Sequence, residues 1–227
     1  MPRQNPSKRI IIHDLLDVQI RLSELDLTIQ DLHHAVAMGQ AVRRQCTDND
    51  PAAAVGIATW GRTVRGLREA LSVRGWERCD DDNLETVVSP ERGMAIAVAT
   101  GDGATGDPAR TPKTKHQRGA ATADAVDRNN DQRSIFELIP GYAPEALAAE
   151  IERSRANRVT YVLLISAHVD EVRCELSSPD GIGEDARVES WSERIILPAF
   201  RFEPGARADA DEDDTPEIDV VVTRKRG

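Results

Sequence analysis

The residues best suited to chemistry lie in the run Thr100-Gly-Asp-Gly-Ala-Thr-Gly-Asp-Pro108, which continues through Thr111-Pro-Lys-Thr-Lys115 to Arg118. Glycines that follow a strand let backbone N–H groups approach an anion, and nearby cations add charge. Gly101, Asp102, Gly103, Thr105, Gly106, Arg110, Lys113, Lys115 and Arg118 are therefore the candidate ligand- or partner-binding residues. Four cations in this run (Arg110, Lys113, Lys115, Arg118) oppose two carboxylates, Asp102 and Asp107, although the chain as a whole carries a net charge of −10. Gly101 and Gly106 match the glycine spacing of a P-loop. Asp107-Pro108 stands where that motif needs Lys-Ser/Thr, so a phosphate would meet repulsion and a missing donor. A nucleotide-hydrolysing P-loop is excluded. The length of the polar loop 101–119 suits either a flexible surface connection or a contact site.

Other polar constellations lead to weaker chemistry. Ser166, His168 and Asp170 share one face of a strand, but no nucleophile-elbow glycines surround Ser166. His33 and His34 are adjacent, so a helix points them about 100° apart and they cannot chelate one metal as an i, i+4 pair does. Asp80-Asp81-Asp82 and Glu184-Asp185 sit beside turns, where carboxylates cap backbone amides. Cys46, Cys79 and Cys174 are widely spaced and odd in number, which fits reduced thiols better than a disulfide framework or a zinc site. The sequence thus assigns no catalytic residue, no metal ligand and no cofactor.

The elements that would position the loop are legible from periodicity. Ile11, Leu15, Val18, Leu22, Leu25, Ile29, Leu32 and Val36 alternate spacings of four and three, which predicts one long amphipathic helix over 13–38. Ile57, Trp60, Val64, Leu67 and Leu71 repeat the pattern over 51–74, ending near Gly75. Two such helices joined by a short polar loop read as an antiparallel hairpin; the first seam could instead cover itself in a homodimer. Beyond Gly75 the period becomes two. Strands are expected at 84–89, 94–98, 159–167, 172–176, 188–197 and 218–222, with helices at 120–128 and 145–155. Trp191 falls where the alternation slips, and a bulge that turns it into the core is the preferred reading. The expected fold class is α+β: an N-terminal antiparallel helical hairpin (1–75) packed on or beside a mostly antiparallel sheet. The body covers 76–202 with its loop 101–119, and an acidic linker and edge strand cover 203–227.

Composition bounds the function classes. The 227 residues are 40% hydrophobic and 30% charged, and no apolar run approaches the roughly 20 residues needed to cross a bilayer. With no secretory signal pattern, the expected location is the cytoplasm. The negative charge disfavours nucleic acid except locally at 110–118. Residues 203–219 hold eight carboxylates against Arg207, so much of the surplus sits in one segment. Only four of the 29 basic residues are lysine, a bias common in high-GC genomes.

The segments Gly75-Trp-Glu-Arg-Cys-Asp-Asp-Asp-Asn-Leu84, Val87-Val-Ser-Pro90 and Ala97-Val-Ala-Thr-Gly-Asp-Gly-Ala-Thr-Gly106 resemble proteins of unknown function encoded by actinobacteria and their phages. Val172-Arg-Cys-Glu-Leu-Ser177 and Trp191-Ser-Glu-Arg-Ile-Ile-Leu-Pro198 carry the same resemblance. It spans about 55–200, implies a phage or mobile-element setting, and transfers no functional residue. Together these features point to a non-enzymatic binding or accessory protein. It would act through protein–protein contacts or self-association by helices 13–38 and 51–74, with 101–118 as contact surface. The alternative is an enzyme or ligand-binding module for a phosphate-bearing small molecule that uses the loop with Asp102 and Lys113.

Overall fold

The computed structural model describes residues 9–80, 84–138 and 158–201. In chain order the elements are β1 (Ile10–Ile12), α1 (Leu15–Glu24), α2 (Ile29–Arg43), α3 (Ala52–Ser72), β2 (Glu77–Cys79), β3 (Thr86–Ser89) and β4 (Met94–Thr100). They continue with α4 (Ala120–Leu138), β5 (Val159–Ala167), β6 (Glu171–Ile182), β7 (Val188–Ile196) and β8 (Phe200–Arg201). The fold is α+β. Eight strands form one sheet in the order β1-β7-β6-β5-β4-β3-β2, with β8 pairing β6 beyond the end of β7. Pairing is antiparallel except for β1 with β7 and β4 with β5. The expected helix 145–155, acidic linker and last strand lie outside the described residues.

The nearly continuous apolar run of β5 occupies the middle of the sheet because both of its faces are covered. Tyr161 and Leu163 face one core with Ile96, Leu176 and Ile195, against Val18, Leu22, Leu32 and Leu67 from the first three helices. Val162 and Leu164 face a second, smaller core with Ala99, Val188 and Trp191. α4 lies on this second face. Its buried Asn129 donates from Nδ2 to the carbonyls of Thr160 (2.9 Å) and Pro179 (3.1 Å), and accepts from the Thr160 amide (2.8 Å). Helices therefore cover both faces of the sheet.

The single helix expected over 13–38 is corrected to two helices, and Ile11, the first residue of its seam, belongs to a strand. Ile10–Ile12 pairs as β1, and the helical stretch breaks between Glu24 and Ile29. Local chemistry beats the heptad there. Asp26 adopts φ +58°, and Thr28 with Asp31 forms a reciprocal capping box that starts α2 afresh. Val18, Leu22, Leu32 and Val36 are still fully buried, because the break re-aims the seam without exposing it. Ile11 and Leu15 are exposed, and so is Ile57 at the start of the second seam (66%).

α2 and α3 approach closely at two glycines. A Cβ on Gly39 would lie 2.1 Å from Thr63 Oγ1 and 2.9 Å from the Thr59 carbonyl, and one on Gly66 would lie 3.0 Å from Ala35 Cα. Gly61, on the same α3, has open space around it. The same substitution should thus have opposite signs at two sites. Gly39→Ala should cost about 1–3 kcal/mol through overpacking. Gly61→Ala should gain about 0.5–1 kcal/mol through reduced backbone entropy in the unfolded chain. Urea denaturation of both variants checks this, and equal effects would contradict the packing.

Candidate functional site

The loop 101–119 packs against the second face of the sheet, and a buried ion pair beneath it explains why. Glu175 on β6 and Arg194 on β7 are 0% and 3% exposed. Glu175 lies between Cys174 and Leu176, and Arg194 between Glu193 and Ile195, so strand alternation turns both charges to the face opposite Leu176 and Ile195, where the loop covers them. The Arg194 guanidinium donates to both Glu175 oxygens, at 2.9 Å from Nε and 2.6 Å from Nη2. Ser177 Oγ donates to the same carboxylate at 2.8 Å. Two of the three remaining guanidinium hydrogens go to the loop: one from Nη1 to the Arg110 carbonyl (2.7 Å) and one from Nη2 to the Asp107 carbonyl (3.1 Å). The Gly106 amide donates to Glu175 Oε2 at 2.8 Å. A glycine N–H does meet an anion, as the loop's composition suggests, and that anion is Glu175.

The remaining candidate residues divide by role. Gly101 bridges to Thr114, its amide donates to the Ile165 carbonyl, and a Cβ there would lie 2.1 Å from Thr105 Oγ1. Asp102 caps the Ala104 amide and donates its own N–H to the Lys113 carbonyl, while Thr105 is fully buried. Gly106 has φ +75°, and a Cβ would come within 2.9 Å of Arg173, so both constraints favour glycine. Gly103 is exposed and its carbonyl accepts from Arg110. Arg110 also pairs with Asp107 at 2.8 Å, and Lys113 pairs with Glu189. Glu189, from outside the run, reduces the positive surplus read from the sequence by one charge. Lys115 donates its amide to the Thr100 carbonyl. Trp191 is buried opposite Pro179, at a register shift in β6, and its indole N–H donates to the Pro112 carbonyl at 2.7 Å. The bulge reading of Trp191 thus holds, and the loop is strapped down along most of its length.

Arg118 stands apart from this set. Its amide donates to the Ala186 carbonyl, and its side chain lines a cavity of about 160 Å³ bounded also by Trp60, Val98, Val162 and Val188. Sequence reasoning singled out Arg118 as one more loop cation, and missed Glu175 and Arg194 altogether. The available signal was a charge flanked by apolar residues within a strand, as Cys174-Glu175-Leu176 is, and a buried charge demands a partner.

The opposite face repeats the device. Glu193, next to Arg194, turns to the helical side, where it accepts from Tyr161 Oη at 2.6 Å and from Arg21 on α1 at 2.7 and 3.1 Å. This pairing holds the Arg21 guanidinium above its usual pKa, and burial beside the carboxylate raises that of the Tyr161 phenol. The buried Cys174 thiol, pushed up to about 12 by burial, stays protonated and unreactive at neutral pH. Among the described residues no group of three or more His, Cys, Asp or Glu is placed to hold a metal ion, and no helix is long and apolar enough to cross a membrane. Comparison with protein-family models, curated proteins and solved structures finds no match.

Arg194→Met should destabilise the chain by about 3–5 kcal/mol, because it leaves Glu175 charged, buried and unpaired. Arg194→Lys should recover only part of this, since an ammonium cannot serve the carboxylate and two carbonyls in one planar fork. Chemical denaturation measures both variants. A loss below about 1 kcal/mol for Arg194→Met would show that the pair does not hold the loop.

Proposed function

We propose that the chain is a non-enzymatic binding protein acting through protein–protein contacts, as an accessory protein in the phage or mobile-element setting that its sequence resemblance implies. The contact is carried by β1 and α1, and its occupant is a second copy of the chain. One observation supports this reading above others. Ile10, Ile11, Leu15, Leu16 and Ile20 are 42–63% exposed, within eleven residues and beside a strand edge that no other described strand occupies. Edge strands are ordinarily blunted by charge or proline. The far edge follows that rule, with Glu77 and Arg78 exposed on β2. β1 is three isoleucines.

An antiparallel β1–β1 pairing about a twofold axis needs only one self-complementary patch, and it would extend the sheet across two copies. The seams of α2 and α3 are largely spent inside the chain, so the outer face of α1 is what remains for contact. A phosphate module built on 101–118 has less support, because Gly106 and the cations Arg110 and Lys113 already have partners within the chain.

Native mass spectrometry and sedimentation of the full chain test the proposal. A dimer is expected. The surface variant Leu16→Asp/Ile20→Asp, which removes no buried contact, should be monomeric with an unchanged melting temperature. A parent chain that is monomeric at every concentration, or a variant that stays dimeric, would overturn self-association through this face.

A further inference from the structure

The cavity beside Arg118 arises from a mismatch in strand length. β3 ends its pairing with β4 at Thr86–Ala97, while β4 runs on to Thr100. Over those last residues β4 has β5 on one side and no described strand on the other. Trp60 from α3 reaches into the gap and donates its indole N–H to the Val98 carbonyl at 3.3 Å. Ala99, Val162 and Val188 supply apolar walls, and Leu84 and Glu85 approach from the chain leading into β3. Arg118, Gly119 and Thr122, where α4 begins, complete the lining.

Arg118 is half-buried, and among the described residues neither a carboxylate nor a carbonyl pairs with its guanidinium. Arg110 and Lys113 in the same loop each meet an oxygen. Burial pulls the pKa of the Arg118 guanidinium below the usual arginine value. Such a group is costly to the free protein unless something completes it. The start of a helix adds partial positive charge on the same side.

We infer that this cavity is a binding site for a small organic carboxylate with an apolar body, the carboxylate on Arg118 and the body between Trp60, Val162 and Val188. A volume near 160 Å³ admits a ligand of roughly benzene size. Guanidinium and carboxylate match as planar, two-pronged partners. The apolar walls of Trp60, Val98, Val162 and Val188 disfavour inorganic phosphate, whose oxygens each need a donor, and Glu85 in the lining adds a repulsion that grows with the charge of the ligand. The site is independent of the contact face on β1 and α1, so either proposal can fail alone.

Titration of the ¹⁵N-labelled chain with isovalerate and benzoate, followed by amide shifts and melting temperature, provides the test. Isovaleramide serves as a neutral twin and inorganic phosphate as a rival anion. Saturable shifts at Thr114, Gly119 and Thr122 are expected with at least one carboxylate and not with isovaleramide. Arg118→Met should weaken that carboxylate about tenfold or more. It should also raise the melting temperature of the ligand-free chain, because it removes an unpaired charge, whereas a merely structural arginine would lower it. Arg118→Lys should keep part of the response. No saturable shift with either carboxylate, an equal response to isovaleramide, a response to phosphate alone, or an Arg118→Met chain that melts lower than the parent would each overturn the inference.

Discussion

Two adjacent residues on one strand, Glu193 and Arg194, hold three parts of the molecule to the sheet. Successive residues of a strand point to opposite faces, so one pair of neighbours can anchor both sides. Glu193 receives Arg21 and Tyr161 on the helical side, while Arg194 meets Glu175 and two loop carbonyls on the other. The same stretch of β7 carries β1 in parallel register, Ile10 against Glu193 and Ile11 against Arg194. α1, the strand edge and the glycine-rich loop are therefore tied to a single point, and a change at that point is felt at all three.

Buried charge of this kind gives little net stability and a great deal of position. Taking Arg194 and Glu175 out of water is expensive, and their attraction offsets that cost only when every remaining donor and acceptor is used. Here Ser177, Gly106, Asp107 and Arg110 use all but one guanidinium hydrogen. The loop carbonyls and amide are part of the pair's solvation, so the loop is held in one conformation as long as the pair is intact. A fixed loop in turn sets Arg118 beside the cavity, because the Arg118 amide and Thr114 are both bonded to the β6–β7 hairpin.

Much of the fold is legible in the sequence because period-two and heptad patterns report burial directly. β4, β5 and β7 fall close to their expected ranges, and Gly75 and Gly93 adopt the positive φ that ends α3 and turns β3 into β4. The break at Asp26 is hidden because Leu22, Leu25, Ile29 and Leu32 keep heptad spacing across it; only the Thr28–Asp31 capping pair marks it. The parallel β1–β7 contact joins residues nearly two hundred positions apart, and no local pattern encodes such a pairing. The candidate loop is held by partners that its own run does not contain. Its glycines and cations are visible in the run 101–118, but the anion they close upon lies on β6, and the cation that anchors them lies on β7.

Amide hydrogen exchange at Gly106 reads the central constraint most directly. If Glu175 and Arg194 hold the loop, that N–H is bonded to a fully buried carboxylate and should exchange as slowly as the amides of β5 and β6, opening only with the sheet. Exchange at the rate of a solvent-exposed loop, while the sheet amides remain protected, would show that the loop moves independently of the pair and would contradict the account.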